Sequence, residues 1–206
     1  MSTHYLAPLF KPASIALFGA SDRTDAVGGI VFRNLLDSGF KGPVYPINPK
    51  RDVVQEQPAY RSLEAVDGPV DLAVVATPAK IIPDIVEQCG EHGVPMMLIL
   101  SAGFRETGKA GRRLEDQVTE RARHYGIRIM GPNCLGIIRP DIGVNLTFGN
   151  NNAIPGNLAL VSQSGAICTA ILDWAEVNGI GFSSVVSTGI GADLDFGDYL
   201  DYLVTD

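Results

Sequence analysis

The sequence predicts an α/β protein built on a doubly wound parallel sheet, and three observations predict it. Apolar runs of strand length alternate with segments of helical period through roughly the first 130 residues. The runs are nearly unbroken rather than alternating, as strands covered by helices on both faces should be. Of the 206 residues, 46% are hydrophobic and only 19% charged, enough to bury a sizeable core and to exclude disorder as the main state.

The elements follow in order. Ser14 to Phe18 reads as a strand and Val27 to Ser38 as a helix, and Val44 to Ile47 is the second strand. A short helix around Tyr60 to Val66 leads to a third strand, Val70 to Ala76. Lys80 to His92 is helical, with Ile81, Ile82, Ile85, Val86 and Cys89 at helical spacing. Val94 to Leu100 is the next strand, Gly108 to Tyr125 a long charged amphipathic helix, and Ile127 to Met130 closes the series. Right-handed crossovers then give a doubly wound, Rossmann-like domain over residues 1–138.

The pattern changes at Gly131. Residues 131–157 are rich in Gly, Pro and Asn, with one strand signal from Val144 to Phe148, so 139–157 reads as a connector. A second alternation follows: strand Leu158 to Val161, helix Gly165 to Val177, strand Phe182 to Ser187, helix Phe196 to Leu203. Two strands and two helices are few for a sheet of ordinary size, so 158–206 is expected to be the N-terminal part of a second, incomplete domain.

Several function classes are excluded early. A net charge of -7 argues against nucleic-acid binding through an overall basic field. The longest apolar stretches, such as Val94 to Leu100, fall far short of the roughly 20 residues of a membrane span. Met1 to Lys11 lacks the basic end and apolar run of a signal peptide. Cys89, Cys134 and Cys168 are odd in number and widely spaced, so neither a metal site nor a disulfide framework is expected, and the cytoplasm is the expected compartment.

The first strand runs into Gly19-Ala20-Ser21-Asp22 and reaches its helix through Ala26-Val27-Gly28-Gly29. Glycines at a strand-to-helix turn let backbone N–H groups approach a phosphate at the positive helix end. The spacing is not the dinucleotide fingerprint, since Gly28 is the next glycine after Gly19, and a tight turn without ligand is the plain alternative. An NAD site would place an acidic residue after the second strand. Asn48-Pro49-Lys50-Arg51 stands there instead, which suits a phosphorylated ribose, as in NADP or coenzyme A, and equally a solvated loop. The third strand ends in Ala76-Thr77-Pro78, the fourth in Ser101-Ala102-Gly103-Phe104, and the fifth in Gly131-Pro132-Asn133-Cys134-Leu135-Gly136. Small and polar residues thus line the rim where doubly wound sheets hold ligands.

This ordered set resembles the NDP-forming acyl-CoA synthetases, relatives of the succinyl-CoA synthetase α subunit. The residues carrying the likeness are Lys11-Pro12-Ala13-Ser14-Ile15-Ala16, Gly19-Ala20-Ser21, Val27-Gly28-Gly29, Tyr45-Pro46-Ile47-Asn48-Pro49-Lys50, Gly131 to Gly136 and Ser162-Gln163-Ser164-Gly165. It extends over essentially the whole chain and is similar to the large bacterial fusions with an ATP-grasp domain, including Pat-like protein lysine acetyltransferases. The resemblance implies a CoA-binding domain followed by a flavodoxin-like, succinyl-CoA-ligase-type domain. Gly19, Ala20 and Ser21 with Val27, Gly28 and Gly29 would hold the CoA diphosphate, and Asn48, Pro49 and Lys50 would meet the nucleotide and its ribose phosphate. Thr77 and Pro78 would flank the nucleotide or pantetheine, with Asn133 and Cys134 nearer the thiol end. Cys134 itself reads as a small semi-buried side chain without a His partner, not a nucleophile.

A second turn, Val161-Ser162-Gln163-Ser164-Gly165, follows a strand and opens a helix. Ser162 replaces the first glycine of a hydrolase elbow, and no triad partners are evident. Hydroxyls and free N–H groups at a helix start make an anion site or a simple N-cap. In the resembled enzymes the equivalent turn faces a phosphorylated histidine. That histidine belongs to a later subdomain and is not transferred to His4, His92 or His124. The third Gly-rich turn, Ser187 to Asp193, has the apolar Ile190 where relatives carry an amide, and Asp193, Asp195 and Asp198 read as helix caps.

The leading expectation is therefore the CoA-binding portion of an acid–thiol ligase, interconverting acyl-CoA, NDP and phosphate with acid, CoA and NTP through an acyl phosphate and a phosphohistidine. The chain alone is not expected to turn over. ATP or ADP, Mg and the ATP-grasp partner would come from outside it, and a homo-oligomer is compatible with the sequence. Two alternatives stand beside it: a CoA- or acyl-CoA-sensing module of a protein lysine acetyltransferase, and an NADP-dependent oxidoreductase domain.

Overall fold

A computed structural model describes residues 4–206. Its first sheet contains β1 (Ile15–Phe18), β2 (Val44–Ile47), β5 (Leu72–Val75), β6 (Met96–Ile99) and β7 (Arg128–Met130), between which lie the short strands β3 (Val53–Val54) and β4 (Gln57–Pro58). The five are parallel in the order β2-β1-β5-β6-β7. Every residue of β1, β5 and β6 is buried, which is why these strands read as continuous apolar runs rather than alternations. Strand β1 lies between its sequence successor β2 and the later β5. The chain therefore leaves the carboxyl ends of β1 and β5 in opposite directions and opens a crevice between them.

Helices cover both faces. A short α1 (Ala7–Phe10) and α2 (Val27–Asp37) lie on one face, with α3 (Ile82–Glu91) and α4 (Lys109–His124) on the other. The short helix expected around residues 60–66 is a single 3-10 turn, Leu63–Ala65, with Leu63 fully buried. Sequence patterning missed α1, whose burial rests on Leu9 and Phe10 alone, and the two-residue strands β3 and β4, too short to show a period.

The segment expected to be a connector carries structure of its own. β8 (Gly136–Arg139) and β9 (Val144–Thr147) form an antiparallel hairpin, with a 3-10 turn at Pro140–Ile142 between them. β10 (Pro155–Ser162), α5 (Gly165–Asn178), β11 (Phe182–Ser187) and α6 (Phe196–Leu203) follow. The second sheet runs β10-β11-β8-β9, with β10 parallel to β11 and β11 antiparallel to β8. The strand signal at Val144 to Phe148 is β9, whereas the Gly, Pro and Asn content of the segment hid its partner β8, and both strands are wholly buried.

The two sheets share one core. Ile137, Val144, Leu146 and Val186 of the second sheet belong to the same buried cluster as Ile15, Leu17, Leu72, Val74 and Leu98 of the first. Asn34 of α2 donates to the carbonyls of Thr147 and Gly149, both at 2.8 Å. The outer edge of β7 is covered by the segment before α6: Leu194 N–H donates to Ile129 O at 3.3 Å, and the Asp193 carboxylate accepts from Ile129 N–H and Arg128 Nε, each at 2.8 Å. Asp195 and Asp198 form a capping box on α6, as read from the sequence, whereas Asp193 serves this edge. The N-terminal arm is clasped by the end of α6: Phe10 stacks on Tyr202 at 4.1 Å, and Asp206 pairs with Lys11 at 2.8 Å and with Arg139, 2% exposed, at 3.0 Å. Burial works against the Asp206 charge, but Lys11 and Arg139 outweigh it and hold the carboxyl below its ordinary range. No helix among the described residues is long and apolar enough to cross a membrane.

Two outcomes follow from this packing. Ile137→Ala, which empties a site on the shared core, is expected to cost about 2–5 kcal/mol. Trp174 fluorescence, which reports from α5, and far-UV dichroism should shift together in urea, and two separated transitions would show that the sheets do not unfold as one body. All three cysteines are free and buried, and burial pushes the thiols of Cys89 and Cys134 up to about 12 and raises that of Cys168. Iodoacetamide at pH 8, followed by mass spectrometry, should leave all three unlabelled in the native chain and alkylate all three in guanidinium.

Candidate functional site

The first turn, at the carboxyl end of β1, is shaped by steric need. Gly19 has φ +89°, and a Cβ there would sit 2.5 Å from the Ala76 carbonyl oxygen. A Cβ on Gly28 would collide with the carbonyl of Gly19, and one on Gly29 with that of Arg23. Only glycine lets the start of α2 approach the turn so closely. Gly28 and Gly29 are buried, whereas Val27 is 39% exposed. The helix has no side-chain N-cap and no acid in its first turn. Among the described residues the N–H groups of Val27 and Gly28 find no partner, so the positive end of the helix is left open.

The end of β2 is locked onto this turn. Asn48 Nδ2 donates to Ala20 O at 2.9 Å, while Asn48 Oδ1 accepts from Lys50 N–H at 2.9 Å. Pro49 and Lys50 are exposed. The expected cationic pair is divided: Arg51 is bound to Asp22 at 3.0 Å, whereas Lys50 has no carboxylate partner among the described residues. Sequence reading missed the contribution of the next hairpin. Gln55 Nε2 donates to Ser21 O and to Gly29 O, both at 2.8 Å, and Gln55 N–H donates to Asp22 Oδ1 at 2.7 Å. Gln55 and Glu56 form the turn between β3 and β4 at φ +45° and +63°. Such turns ordinarily recruit Gly, Asn or Asp, so no turn signal marked the site.

On the far side of the crevice, Thr77 follows β5. Its Oγ1 is buried with no hydrogen-bond partner, a group of the kind that a ligand satisfies. Thr77 O accepts from Ser101 Oγ at 2.6 Å, and Pro78 is exposed beside it. Asn133 N–H donates to Ser101 O at 3.0 Å, which places the loop after β7 next along the rim. Asn133 is exposed at φ +52°, while Cys134 is 4% exposed with its Sγ directed to Ile99 O at 3.4 Å. The Cys134 side chain thus packs under the sheet, and the rim at this point is Asn133 and backbone.

The second turn lies against the same loop. A Cβ on Gly165 would meet the Leu135 Cβ at 3.0 Å, and Ser187 Oγ accepts from Leu135 N–H at 3.2 Å. A Cβ on Gly189 would stand 2.5 Å from Pro132 O and 2.6 Å from Asn133 O. Ser164 is the N-cap of α5, accepting from Ile167 N–H at 3.3 Å, and Ser162 Oγ accepts from Ser164 N–H at 3.1 Å. Gln163 is exposed at the tip. Among the described residues the N–H groups of Gly165 and Ala166 have no partner, as expected for the first turn of a helix.

The fold therefore strings the sequence-predicted residues along one rim, from Lys50 through the first turn and Thr77 to Asn133, with the second turn beyond. A separate hollow of about 360 Å³ between Glu64 and the C-terminal end of α3 lies at the opposite, amino edge of the sheet. Its lining of Glu64 and Glu91 opposes an anionic ligand.

Comparison with known proteins identifies the family of the fold. The model of the CoA binding domain matches residues 13–140, and that of the succinyl-CoA ligase like flavodoxin domain matches residues 155–206. The α subunit of the ADP-forming acetate–CoA ligase I of Pyrococcus furiosus is 40% identical over 205 residues, which are 98% of this chain and 44% of that subunit. The ADP-forming acetate–CoA ligase I of Archaeoglobus fulgidus is 43% identical over 198 residues, 96% of this chain and 29% of that protein. A solved structure of the dinucleotide forming acetyl-coenzyme A synthetase 1 of Ca. Korarchaeum cryptofilum, in complex with phosphate and ADP, superposes with a TM-score of 0.93 at 40% identity, over 98% of this chain and 43% of that one. The chain spans less than half the length of these relatives. It belongs to the CoA binding domain family, in the arrangement of the NDP-forming acyl-CoA synthetases, with a succinyl-CoA ligase like flavodoxin domain following the CoA binding domain.

Proposed function

We propose that this chain is the CoA-gripping portion of an NDP-forming acyl-CoA synthetase, an acid–thiol ligase that interconverts acyl-CoA, NDP and phosphate with acid, CoA and NTP. CoA supplies the thiol that carries the acyl group. The residues of this chain bind and orient it. The open N–H groups of Val27 and Gly28, with the Gly19–Ser21 backbone, receive the diphosphate at the positive end of α2. Lys50, held by Asn48 and free of any carboxylate among the described residues, takes the ribose phosphate, and Pro49 lies against the nucleotide. Each charged hydrogen bond of this kind contributes about 1.5–3 kcal/mol. Thr77 Oγ1 finds its missing partner on the ligand, and Thr77 and Pro78 line its path. Asn133 marks the thiol end, and Cys134 contributes backbone there, since its side chain faces Ile99.

The observation that carries this reading is the position of the second turn. Ser162, Gln163, Ser164 and Gly165 abut the loop that would hold the thiol end, through Gly165 on Leu135. A phosphate delivered to the start of α5 would therefore arrive beside the acyl-carrying end of CoA. The phosphohistidine, the ATP-grasp domain or subunit, the nucleotide and Mg come from outside the chain, and no residue here performs covalent catalysis. Three free, unbridged cysteines suit a cytoplasmic protein.

Titration calorimetry on the 206-residue chain tests the reading. CoA should bind in the micromolar range and NADPH far more weakly. The opposite order would transfer the crevice to an oxidoreductase. Lys50→Ala should weaken CoA about tenfold, which corresponds to one charged contact, and dephospho-CoA less than twofold. Equal losses would remove Lys50 from the ribose phosphate.

A further inference from the structure

We infer that Gln55 is a positioning residue that sets the phosphate-binding turn before any ligand arrives, an inference that rests on the CoA reading of the first turn. Its side-chain amide has two N–H donors and spends both on the site, one on Ser21 O and one on Gly29 O. The first carbonyl belongs to the turn and the second to the first turn of α2, so the amide bridges the loop on either side of residues 22–28. The backbone of the same residue holds Asp22 Oδ1, and Asp22 holds Arg51. In a planar trans peptide the C=O and N–H point in opposite directions. Drawing the Ser21 carbonyl toward the hairpin therefore turns the Asp22 N–H away from it, and holding Gly29 fixes where α2 begins.

The backbone of the hairpin supports the same conclusion. Among the described residues only Gln55, Glu56 and Asn133 combine a side chain with positive φ, and Gln55 does so at +45°, where glycine is the undemanding choice. Glycine there would supply the turn but not the amide. A side chain retained at a position that disfavours side chains, with its whole donor capacity committed to two carbonyls of the candidate site, marks a requirement of the site rather than of the hairpin. Preorganisation of this kind raises affinity by lowering the ordering cost of binding, not by touching the ligand.

Gln55→Gly separates positioning from folding, because it relieves the left-handed backbone while removing the amide. Its melting temperature should stay within a few degrees of the parent chain, because relief of the left-handed backbone offsets much of the loss of two hydrogen bonds. Amide hydrogen exchange on the ligand-free proteins should show Arg23, Gly29 and Ile30, whose N–H groups bond within the turn, exchanging at least tenfold faster in the variant. CoA and dephospho-CoA, which share the diphosphate, should both weaken at least tenfold with their ratio unchanged, unlike the selective loss from Lys50→Ala. Unchanged exchange would overturn the inference whatever CoA does. So would faster exchange with CoA affinity within twofold of the parent. If the parent chain binds no CoA while exchange still accelerates, the CoA reading falls and the hold of Gln55 on the turn stands.

Discussion

The arrangement depends on one close approach, the start of α2 against the turn that ends β1. Gly28 faces the Gly19 carbonyl and Gly29 faces that of Arg23, with no room for a Cβ at either position. A side chain at 28 would lift the helix off the turn and carry the unpartnered amides of its first turn away from the crevice. Everything else at the β2 end adjusts to that contact. Asn48 ties β2 to Ala20, and Gln55 ties the β3–β4 hairpin to Ser21 and Gly29. The crevice is thus a product of topology, since β1 lies between β2 and β5, and of a helix allowed to sit unusually low.

A second constraint sets the far end. Because both sheets contribute to one buried cluster, the start of α5 is not free to wander relative to the first sheet. The contacts of Gly165 with Leu135 and of Gly189 with Pro132 and Asn133 leave little more than van der Waals clearance. The segment before α6 adds hydrogen bonds along the edge of β7, and the clasp of Lys11 and Arg139 on Asp206 fastens α6 to the N-terminal arm. If the two turns hold the thiol end of CoA and a phosphate, as proposed above, elements packed as one body keep them in register.

Much of this was legible in the sequence because burial on both faces leaves an unmistakable pattern. Val44 to Ile47, Phe182 to Ser187 and Phe196 to Leu203 have the bounds their residues suggest. The rim positions were legible too, since glycine and small polar residues at strand ends carry a steric meaning. What escaped was set by tertiary context. β8 is four residues inside a Gly- and Pro-rich stretch, so although Val144 to Phe148 showed as a strand, neither local period nor composition disclosed its partner or the hairpin they form. Lys50 and Arg51 look alike in sequence, and only the fold shows that Asp22 occupies Arg51 and leaves Lys50 available. Gln55 was invisible for the opposite reason: its importance lies in an unfavourable backbone and two distant carbonyls.

These misses have a common physical origin, and it is informative about where ligands act. Strands and helices declare themselves when each residue agrees with its local conformation. At the rim several residues do not. Gln55, Glu56 and Asn133 accept left-handed backbone, and Thr77 keeps a buried hydroxyl without a partner. Cys134, by contrast, is an apolar packing residue, satisfied by Ile99 O and held protonated by burial. The disagreement between local preference and fold thus separates the rim residues from the cysteine among them. Under the CoA reading proposed above, what left-handed Asn133, the Gln55 hairpin and the unpartnered Thr77 hydroxyl answer to at this crevice is an extended anionic ligand.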